Sequence, residues 1–356
     1  MNKNQFDGSI NWITSGELKE HYISDTKEKI SEEAAKNNSL KLLPVGTFVI
    51  AIYGLEANGV RGTCSITTRE STISQACMAF TSKMDIQNEF LYSWYKKHGN
   101  IIGIKYAQGT KQQNLSYDII ERFNISYPCM EEQKKLIRFI SLIDQRIATQ
   151  NKIIEDLKKL KSAIIEIEYS PKDSYHSHIG GAIVQISKRN KDNHLCNVLS
   201  VSNRQGFIKQ SEQFEDRNVA SDDTSNYKIV EKNDFAYNPA RINVGSIARL
   251  TKFETGIVSP MYICFRTKDC LLPEYLELFF ESRNFFYHIQ KRLEGSVRLC
   301  LSYEELCNIP IVIPSIEKQK QVDLHLSKLA QKIDLEMKIL QFVQQQKTYL
   351  LHQMFI

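Results

Sequence analysis

The chain has 356 residues, of which 42% are hydrophobic and 24% charged, and its formal net charge is +5. These values are ordinary for a globular protein, and the length allows about two or three domains. No apolar run approaches the ~18–20 residues of a membrane span, and the polar stretch Met1–Trp12 lacks the apolar core of a signal peptide. We therefore expect a cytoplasmic protein, mildly basic, which suits a nucleic-acid binder without requiring one.

The eight cysteines include no Cys-x-x-Cys pair. In a chain of this length, buried free thiols in a reducing compartment are favoured over metal ligands or disulfides. We therefore expect neither a metal site nor a disulfide framework. The cysteines are Cys64, Cys77, Cys129, Cys196, Cys264, Cys270, Cys300 and Cys307.

Residues 1–128 combine short β-rich runs with turns, and we assign them to a first globular domain. A turn followed by apolar and β-branched residues predicts a buried strand, and a second such run predicts another. An aromatic-rich helix and a polar loop complete this domain. In chain order the elements are Pro44–Gly46 (turn), Thr47–Tyr53 and Ile73–Phe80 (strands), Glu89–Lys97 (short helix) and Gly109–Asn114 (loop).

Residues 129–170 form one long predicted helix with a narrow apolar stripe. Its apolar residues recur at alternating steps of four and three, apart from gaps at Gln150 and Lys161, and this spacing is typical of a coiled-coil seam. Acidic residues after Pro128 favour a helix start there, and Pro171 requires the helix to stop before it. The seam residues are Leu136, Ile140, Ile143, Ile147, Ile154, Leu157 and Ile164.

The same pattern returns 186 residues later, which indicates an internal duplication. The second seam has its gaps at Glu336 and Lys347, and its residues are Val322, Leu326, Leu329, Ile333, Leu340, Val343 and Leu350. The matching pairs in the globular parts include Gly109 with Gly295, Leu115 with Leu301, Ser116 with Ser302, Tyr117 with Tyr303 and Pro128 with Pro314. We assign residues 171–314 to a second globular domain and 315–356 to a second helix. The two domains otherwise share little sequence, so we expect each to recognise something different.

The order of the elements determines the direction of the two long helices. If their seams pack together, the second helix runs back along the first, and Gln150 and Glu336 meet near the centre, where a polar pair fixes the alignment. The sequence thus predicts an α+β protein. Two mixed β-rich domains are joined by two long antiparallel coiled-coil spacer helices, with a pseudo-twofold internal repeat. Separate docking of each helix on its own domain stays open as an alternative.

The sequence contains no recognisable active site. Residues 103–111 lack the Gly-Lys-Ser/Thr ending of a phosphate-binding loop. Asn238-Pro239 is followed by Ala240, so the Asn-Pro-Pro-aromatic motif of amino-methyltransferases is absent. We therefore predict no catalytic residues, no metal ligands and no cofactor bound by this chain.

Polar and basic residues in the loops of both domains are candidates for DNA binding. Arg and Lys pair with guanine, and Asn and Gln pair with adenine, although a solvated loop residue is individually the better interpretation of each. The first-domain candidates are Thr14, Ser15, Lys19, Arg61, Lys111, Gln112, Gln113 and Asn114. The second-domain candidates are Ser202, Asn203, Arg204, Asn238, Arg241, Arg249 and Arg298.

Short motifs that are specific in combination extend over nearly the whole chain. In the second half they are Tyr237–Arg241, Gly245–Ile247 and Gly256–Tyr262. In the first half they are Trp12–Thr14, Pro44–Thr47, Ser74-Gln75 and Gly109–Ser116, and at the helix starts they are Pro128–Gln133 and Pro314–Gln319. Through these motifs the chain resembles the DNA-specificity subunits of type I restriction–modification systems.

The resemblance implies a subunit without catalytic activity that binds a bipartite double-stranded DNA target, one half-site per domain. It implies two methyltransferase subunits as partners, with restriction subunits beside them, and it places S-adenosylmethionine, ATP and Mg²⁺ on those partners. A different interpretation is a non-enzymatic coiled-coil adaptor that binds proteins only, and a third is an enzyme with unfamiliar motifs. A steep salt dependence of DNA binding favours the first interpretation over the second.

The first domain lacks one piece of the second. In the second domain 26 residues, beginning with Pro171, precede Asn197, whereas 10 precede the equivalent Asn11. The additional residues include a predicted strand at His178–Ile186. We therefore expect the first domain to be shortened at its amino-terminal side and to be stabilised by an added strand.

Overall fold

The structure is a computed structural model that describes residues 6–82, 85–170, 177–203, 205–213, 223–295 and 299–355. It divides into two compact units. The first unit is Met1–Asn151 with Lys338–Ile356, and the second unit is Lys152–Met337. Both divisions fall inside the long helices, so each unit combines one globular part with a half of each helix.

The strands of the first unit form two sheets. They are β1 (Ile10–Ile13), β2 (Tyr22–Ile23), β3 (Lys29–Ile30), β4 (Phe48–Ala51), β5 (Cys64–Thr67), β6 (Ser71–Ile73) and β7 (Cys77–Phe80). In the sheet β3-β1-β6, β1 runs antiparallel to β3 and parallel to β6. In the sheet β2-β5-β4-β7, β4 runs antiparallel to both neighbours, and all its side chains are buried in the core.

The single strand predicted at Ile73–Phe80 is wrong, because β6 and β7 divide this run between the two sheets. A turn at Ser74 separates them, with the Cys77 amide donating to the Ser74 carbonyl at 3.1 Å. The apolar alternation is the same on both sides of the turn, so the sequence alone does not show the break.

The helices of the first unit surround these sheets. They are α1 (Glu32–Asn37), α2 (Asn88–Tyr106), α3 (Tyr117–Glu121) and the first part of α4 (Met130–Glu168). The helix predicted to end at Lys97 continues to Tyr106. Gly99 and Gly103 lie in this extension, where a Cβ atom at Gly103 would stand only 2.5 Å from Cγ of Arg61. These glycines weaken the helix signal, but they permit close packing.

The second unit has the same frame with additional strands. They are β8 (Ile183–Ile186), β9 (Val198–Ser202), β10 (Gly206–Lys209), β11 (Lys228–Glu231), β12 (Phe235–Tyr237), β13 (Ile247–Arg249), β14 (Thr255–Val258) and β15 (Ile263–Thr267). The sheet orders are β10-β9-β14-β11 and β13-β12-β15-β8. The strand series β13-β12-β15 corresponds to β5-β4-β7 of the first unit, so β8 is the extra edge strand.

The helices of the second unit enclose an aromatic core. They are the last part of α4, α5 (Ile179–Ala182), α6 (Gln210–Gln213), α7 (Pro273–Phe280), α8 (Arg283–Arg292), α9 (Tyr303–Cys307) and the first part of α10 (Ile316–Met354). The rings of Phe235 and Phe265 stack at 5.2 Å, and Phe280 meets both edge-on. The strand predicted at His178–Ile186 is wrong in its first half, where α5 contains the Gly180-Gly181 pair and only β8 is extended.

The two long helices have 39 residues each, and their bounds differ by 186 residues at both ends. In the first unit, Asp144 of α4 pairs with Lys347 of α10 at 2.5 Å. In the second unit, Glu168 near the end of α4 lies 3.6 Å from Lys318 near the start of α10. The helices are therefore antiparallel within each unit, and the prediction of an α+β protein with two antiparallel long helices and an internal repeat is confirmed.

All fourteen seam positions are at least partly buried, and Ile140, Ile154, Val322, Leu326 and Ile333 are fully buried. The polar seam residues Gln150 and Glu336 are also buried, and Glu336 pairs with Lys332 one turn earlier at 2.5 Å. A meeting of Gln150 with Glu336 stays a prediction.

A buried glutamine anchors the start of each long helix. In the first unit, the Gln133 amide oxygen accepts from the Gln87 amide at 2.9 Å, while its nitrogen donates to the carbonyls of Asp85 at 2.6 Å and Pro128 at 2.8 Å. In the second unit, Gln319 repeats the three bonds with Leu272 at 2.8 Å, Cys270 at 3.0 Å and Pro314 at 2.9 Å.

The eight cysteines are free. Only Cys64, Cys77 and Cys264 are fully buried, and burial raises the pKa of each of these thiols to about 12. The expectation of buried thiols is wrong for Cys129, Cys196 and Cys270, which are exposed near element ends. Within the described ranges, no helix has the length and apolarity to cross a membrane.

Candidate nucleic-acid interface

Each unit carries the same closed loop, which we name the glycine loop. The first glycine loop comprises residues 108–114 and the second comprises residues 294–300. Paired backbone hydrogen bonds close each loop, between Gln108 and Asn114 at 2.9 Å and between Glu294 and Cys300 at 2.8 and 3.0 Å. Its second residue is glycine with a positive φ, 114° in the first loop and 123° in the second.

A buried leucine fixes each glycine loop to the loop after the central strand. The amide of Leu115 donates to the carbonyl of Ile52 at 2.8 Å, and the amide of Leu301 donates to the carbonyl of Pro239 at 3.1 Å. Both leucines are fully buried. The two glycine loops therefore occupy the same place in their units.

Further hydrogen bonds hold the base of the first glycine loop. The Gly54 amide donates to Oδ1 of Asn114 at 3.2 Å, and the Gln113 amide donates to the Glu56 carboxylate at 2.7 Å. This bond from Gln113 holds the pKa of the Glu56 carboxyl below its ordinary value. The Arg61 guanidinium donates to Oε1 of Gln113 at 2.7 Å. Of the first-domain candidates, Arg61, Gln113 and Asn114 are thus brought together.

Lys111 and Gln112 lie at the tip of the first glycine loop and are exposed. Because the neighbours Gln113 and Asn114 hold the base, the tip side chains are available for a ligand. Sequence reasoning did not identify Glu56, which lies outside every motif and contributes through one bond to the Gln113 backbone.

The candidates at the start of the chain have a different setting. Thr14 begins a short 3-10 turn, Ser15–Glu17, and the Glu17 carboxylate accepts from the amides of Thr14 at 3.2 Å and Lys27 at 2.6 Å. Lys19 is exposed, but it shares a surface depression with four carboxylates. These are Glu17, Glu20, Asp25 and Glu28. Carboxylates repel phosphate, so this part of the surface is less suited to DNA than the glycine loop.

Apart from Arg249, the described second-unit candidates lie around the loop after β12. The Asn238 amide donates to the Ser246 carbonyl at 3.0 Å, and the Ser246 hydroxyl donates to the Val201 carbonyl at 3.2 Å, next to Ser202. A Cβ atom at Gly245 would lie 3.7 Å from Cβ of Asn203. The second glycine loop joins the same group through Pro239. Arg204 and Arg298 lie outside the described residues.

Arg241 is exposed within this group, and its backbone is fixed at both ends. Its amide donates to the Asn238 carbonyl at 3.0 Å, and its carbonyl accepts from the amides of Val244 at 3.2 Å and Ser246 at 3.1 Å. Among the described residues its guanidinium has no hydrogen-bond partner. An exposed arginine on a fixed backbone is suited to contact a base or a phosphate.

Arg249 lies apart from the other candidates. Its guanidinium donates to Glu277 at 2.9 Å and to Asn233 at 2.9 Å, and it also pairs with Glu274. The side chain is only 12% exposed. Burial is the larger effect on Glu277 and raises the pKa of its carboxyl, while Arg249 acts in the opposite direction. This arrangement favours a role of Arg249 in joining β13 to α7.

We expect Arg249→Ala to lower the free energy of unfolding by about 1–2 kcal/mol, because it leaves two partly buried carboxylates without their cation. Thermal unfolding of the full chain checks this. The matched control is Lys232→Ala, which removes the exposed pair with Glu254 and should cost less than about 1 kcal/mol. Equal losses in both variants would contradict the structural role.

The described residues contain no group of three or more His, Cys, Asp or Glu side chains arranged to hold a metal ion. The chemistry that the candidate groups can perform is hydrogen bonding and charge pairing from loop tips on a fixed base.

Comparison with known proteins gives a consistent group of relatives. Residues 1–159 match the family model described as the type I restriction modification DNA specificity domain. The specificity subunit of the type I restriction enzyme MjaIX of Methanocaldococcus jannaschii is 27% identical over 176 residues. This match spans 48% of the chain and 40% of that protein.

Three solved structures share the fold over nearly the whole chain. The HsdS subunit of Thermoanaerobacter tengcongensis has a TM-score of 0.53 at 13% identity and covers 99% of this chain and 91% of its own. The type I S subunit of M. genitalium has a TM-score of 0.54 at 14% identity, with 100% and 91% covered. A chain from a structure of type I R-M complex assembly has a TM-score of 0.61 at 13% identity, with 98% and 92% covered.

Proposed function

We propose that the chain is a DNA-specificity subunit of a type I restriction–modification system, like the proteins that it matches, and that it binds a bipartite double-stranded DNA target. Each unit reads one half-site, and the chain directs methyltransferase subunits to the DNA. The specificity subunits of this family are non-catalytic, so the reaction itself belongs to the partners.

The observation that carries this proposal is the pair of glycine loops. Their closing bonds, their glycine and their buried leucine are the same in both units. The sequences that follow the glycine differ, with Thr-Lys-Gln-Gln at 110–113 and Ser-Val-Arg-Leu at 296–299. A constant frame with different tips is the arrangement needed when two domains recognise two different base sequences.

The chemistry of the exposed candidates fits DNA. Lys111 and Arg241 can pair with guanine or phosphate, and Gln112 can pair with adenine. The net charge of +5 is favourable for association with a polyanion. DNA binding should weaken steeply as salt rises, because each phosphate contact releases counterions.

The outer faces of the long helices support the proposed protein partners. Large apolar side chains exposed on both helices are the kind of surface that a partner covers. On α4 they are Phe139, Leu142, Ile153, Leu160 and Ile167, and on α10 they are Leu324, Leu335, Met337, Phe342 and Tyr349. We assign these faces to two methyltransferase subunits, which bring S-adenosylmethionine. Restriction subunits with ATP and Mg²⁺ would join through them.

The test is selection of duplexes from a random DNA library by the full chain, assembled with its proposed methyltransferase subunits. We expect a split motif. Arg241→Ala should lower affinity for the selected duplex by about 1–3 kcal/mol and relax one position of one half-site, whereas Lys111→Ala with Gln112→Ala should relax the other half-site.

The control is Lys158→Ala, an exposed change on α4 that should leave the motif and affinity unaltered. An equal loss of Arg241→Ala on random DNA would make this side chain a phosphate contact. An assembled complex that selects no motif and whose DNA binding does not respond to salt would instead favour the adaptor.

A further inference from the structure

The second unit contains a short segment, residues 177–186, that is inserted between two parts of its fold. On one side β8 pairs with β15 in antiparallel register from Ile183 to Ile186. On the other side the Ile179 amide donates to the Ile309 carbonyl at 2.9 Å, and the Ile311 amide donates to the Ser177 carbonyl at 3.1 Å. We name residues 177–186 the inserted segment.

The apolar side chains of the inserted segment complete the core of the second unit. Ile179, Ala182 and Ile183 are fully buried in that core. The packing is close, since a Cβ atom at Gly180 would lie 2.6 Å from Cβ of Cys307. The segment therefore acts as a wedge that is apolar at its first, fourth and fifth positions counted from Ile179.

The corresponding place in the first unit has both walls but no wedge within the described residues. One wall is β7, which corresponds to β15 and forms the edge of its sheet there. The other wall is the stretch 120–125, which corresponds to 306–311. Ile120, Phe123 and Ile125 are only partly buried, whereas their counterparts in the second unit are fully buried.

A cavity of about 110 Å³ lies between these walls. All of its lining residues are apolar or aromatic, and among them Trp94 and Tyr95, both on α2, carry polar side-chain atoms. The lining residues are Phe48, Ile50, Phe80, Leu91, Trp94, Tyr95, Ile102, Ile120, Phe123 and Ile125. We name this place the acceptor cleft.

Two residues that line the acceptor cleft carry buried polar groups that lack a hydrogen-bond partner among the described residues. Trp94 is 8% exposed and Tyr95 is 5% exposed. The indole Nε1 of Trp94 and the hydroxyl of Tyr95 have no hydrogen-bond partner among the described residues. A buried donor without a partner is unfavourable, and the carbonyl oxygens of an inserted peptide would satisfy such donors.

We propose that the acceptor cleft binds a short peptide segment of a second polypeptide, inserted as residues 177–186 are inserted in the second unit. The segment is apolar at the positions of Ile179, Ala182 and Ile183 and ends in a strand that pairs antiparallel with β7. Strand addition to a free sheet edge is an established mode of peptide recognition.

The β8–β15 register of the second unit indicates which residues of β7 an incoming strand would face. In the β8–β15 pair, Ile186 faces Cys264 and Gln185 faces Phe265. At the 186-residue offset, the equivalents of Cys264 and Phe265 are Met78 and Ala79 of β7, which are partly buried, whereas Cys264 and Phe265 are fully buried. An incoming strand would therefore remove apolar surface of β7 from water, which stabilises the complex.

The test uses the full chain and a synthetic peptide of residues 177–187, Ser-His-Ile-Gly-Gly-Ala-Ile-Val-Gln-Ile-Ser. Trp12→Phe leaves Trp94, which lines the cleft, as the sole tryptophan of the chain. We expect a saturable change in Trp94 emission on titration and a rise of at least about 2 °C in the unfolding midpoint that Trp94 reports.

Two matched controls distinguish insertion of the peptide into the acceptor cleft from non-specific binding to the protein surface. A peptide carrying Asp at the positions of Ile179 and Ile183 should bind at least about tenfold more weakly, because charge cannot enter the apolar cleft. The chain variant Ile125→Arg, with its fold checked by circular dichroism, should also lose the response. No saturable response with the native peptide, or an equal response to the Asp peptide, would overturn the proposal. So would an unchanged response in a folded Ile125→Arg variant.

Discussion

Gln133→Leu is expected to lower the free energy of unfolding of the first unit by about 3 kcal/mol. The amide of Gln133 is fully buried and makes three hydrogen bonds, to the backbones of Gln87, Asp85 and Pro128. Leucine has a similar size but forms none of them. Each backbone group left without its partner costs about 1–3 kcal/mol where it stays buried, and Asp85 is exposed, which reduces the sum.

Chemical denaturation followed by tryptophan fluorescence measures this change in the first unit alone, because both tryptophans, Trp12 and Trp94, belong to it. The matched control is Gln145→Leu, an exposed glutamine of the same helix whose side chain only reaches Ser141 at 3.5 Å. It should change stability by less than about 0.5 kcal/mol. A Gln133→Leu variant as stable as Gln145→Leu would show that the three bonds are not what holds the helix start.

The repeat gives a second measurement of the same effect. Gln319→Leu removes the equivalent bonds to Leu272, Cys270 and Pro314 in the second unit. The second unit should lose a similar free energy of unfolding. The tryptophan-detected transition of the first unit should stay unchanged in Gln319→Leu, whereas Gln133→Leu shifts it. This pair explains why the sequence match continues through Pro128–Gln133 and Pro314–Gln319: each glutamine joins a long helix to the globular part of its own unit.

The long helices were predictable because their signal is periodic and occurs twice. The seam spacing indicates both helices, and Pro128 and Pro314 each stand two residues before an observed helix start. The antiparallel direction followed from chain order alone. Such features depend on local sequence and connectivity, and tertiary contacts reinforce them.

The globular parts were less predictable because their structure depends on contacts distant in sequence. Helix α2 extends beyond Gly99 and Gly103 because those glycines lie against Tyr95 and Arg61. The division of one apolar run into β6 and β7 depends on which sheet each half joins. The carboxylates of α7 that pair with Arg249 lie 25 and 28 residues after it in the sequence. No window of sequence contains these partners.

The sequence indicated where the glycine loops lie, but it did not indicate which of their residues are exposed and which are bound within the chain. The match of Gly109 with Gly295 marked the glycine loops, since a glycine recurring at one place in two diverged domains indicates a backbone requirement. Composition could not separate the exposed tip, Lys111 and Gln112, from the base, where Gln113 and Asn114 are bound to the chain itself. That separation depends on the hydrogen bonds of residues 54–61.

Gly109→Ala is expected to remove recognition of one half-site while the rest of the target is still read. The backbone of Gly109 has a φ of 114°, which L residues rarely adopt, and an added Cβ atom would overlap the carbonyl oxygen of Gln112. The loop must change shape to accept alanine, which displaces Lys111 and Gln112 together. If each makes a base contact worth at least about 1 kcal/mol, affinity for the selected duplex falls about 30-fold or more.

Binding of the assembled complex to the selected duplex, and to duplexes altered in one half-site, measures this result. Gly109→Ala should lose discrimination only at the half-site that Lys111→Ala with Gln112→Ala also relaxes. The matched control is Gly46→Ala, where φ is also positive at 81° but an added Cβ atom meets nothing within 4 Å. This control carries the backbone strain without the overlap, so it should lower stability by about 1 kcal/mol and leave the motif intact. If Gly109→Ala retained full discrimination, the glycine loop would not take part in DNA recognition. The residues that contact the bases would then have to lie elsewhere in the first unit.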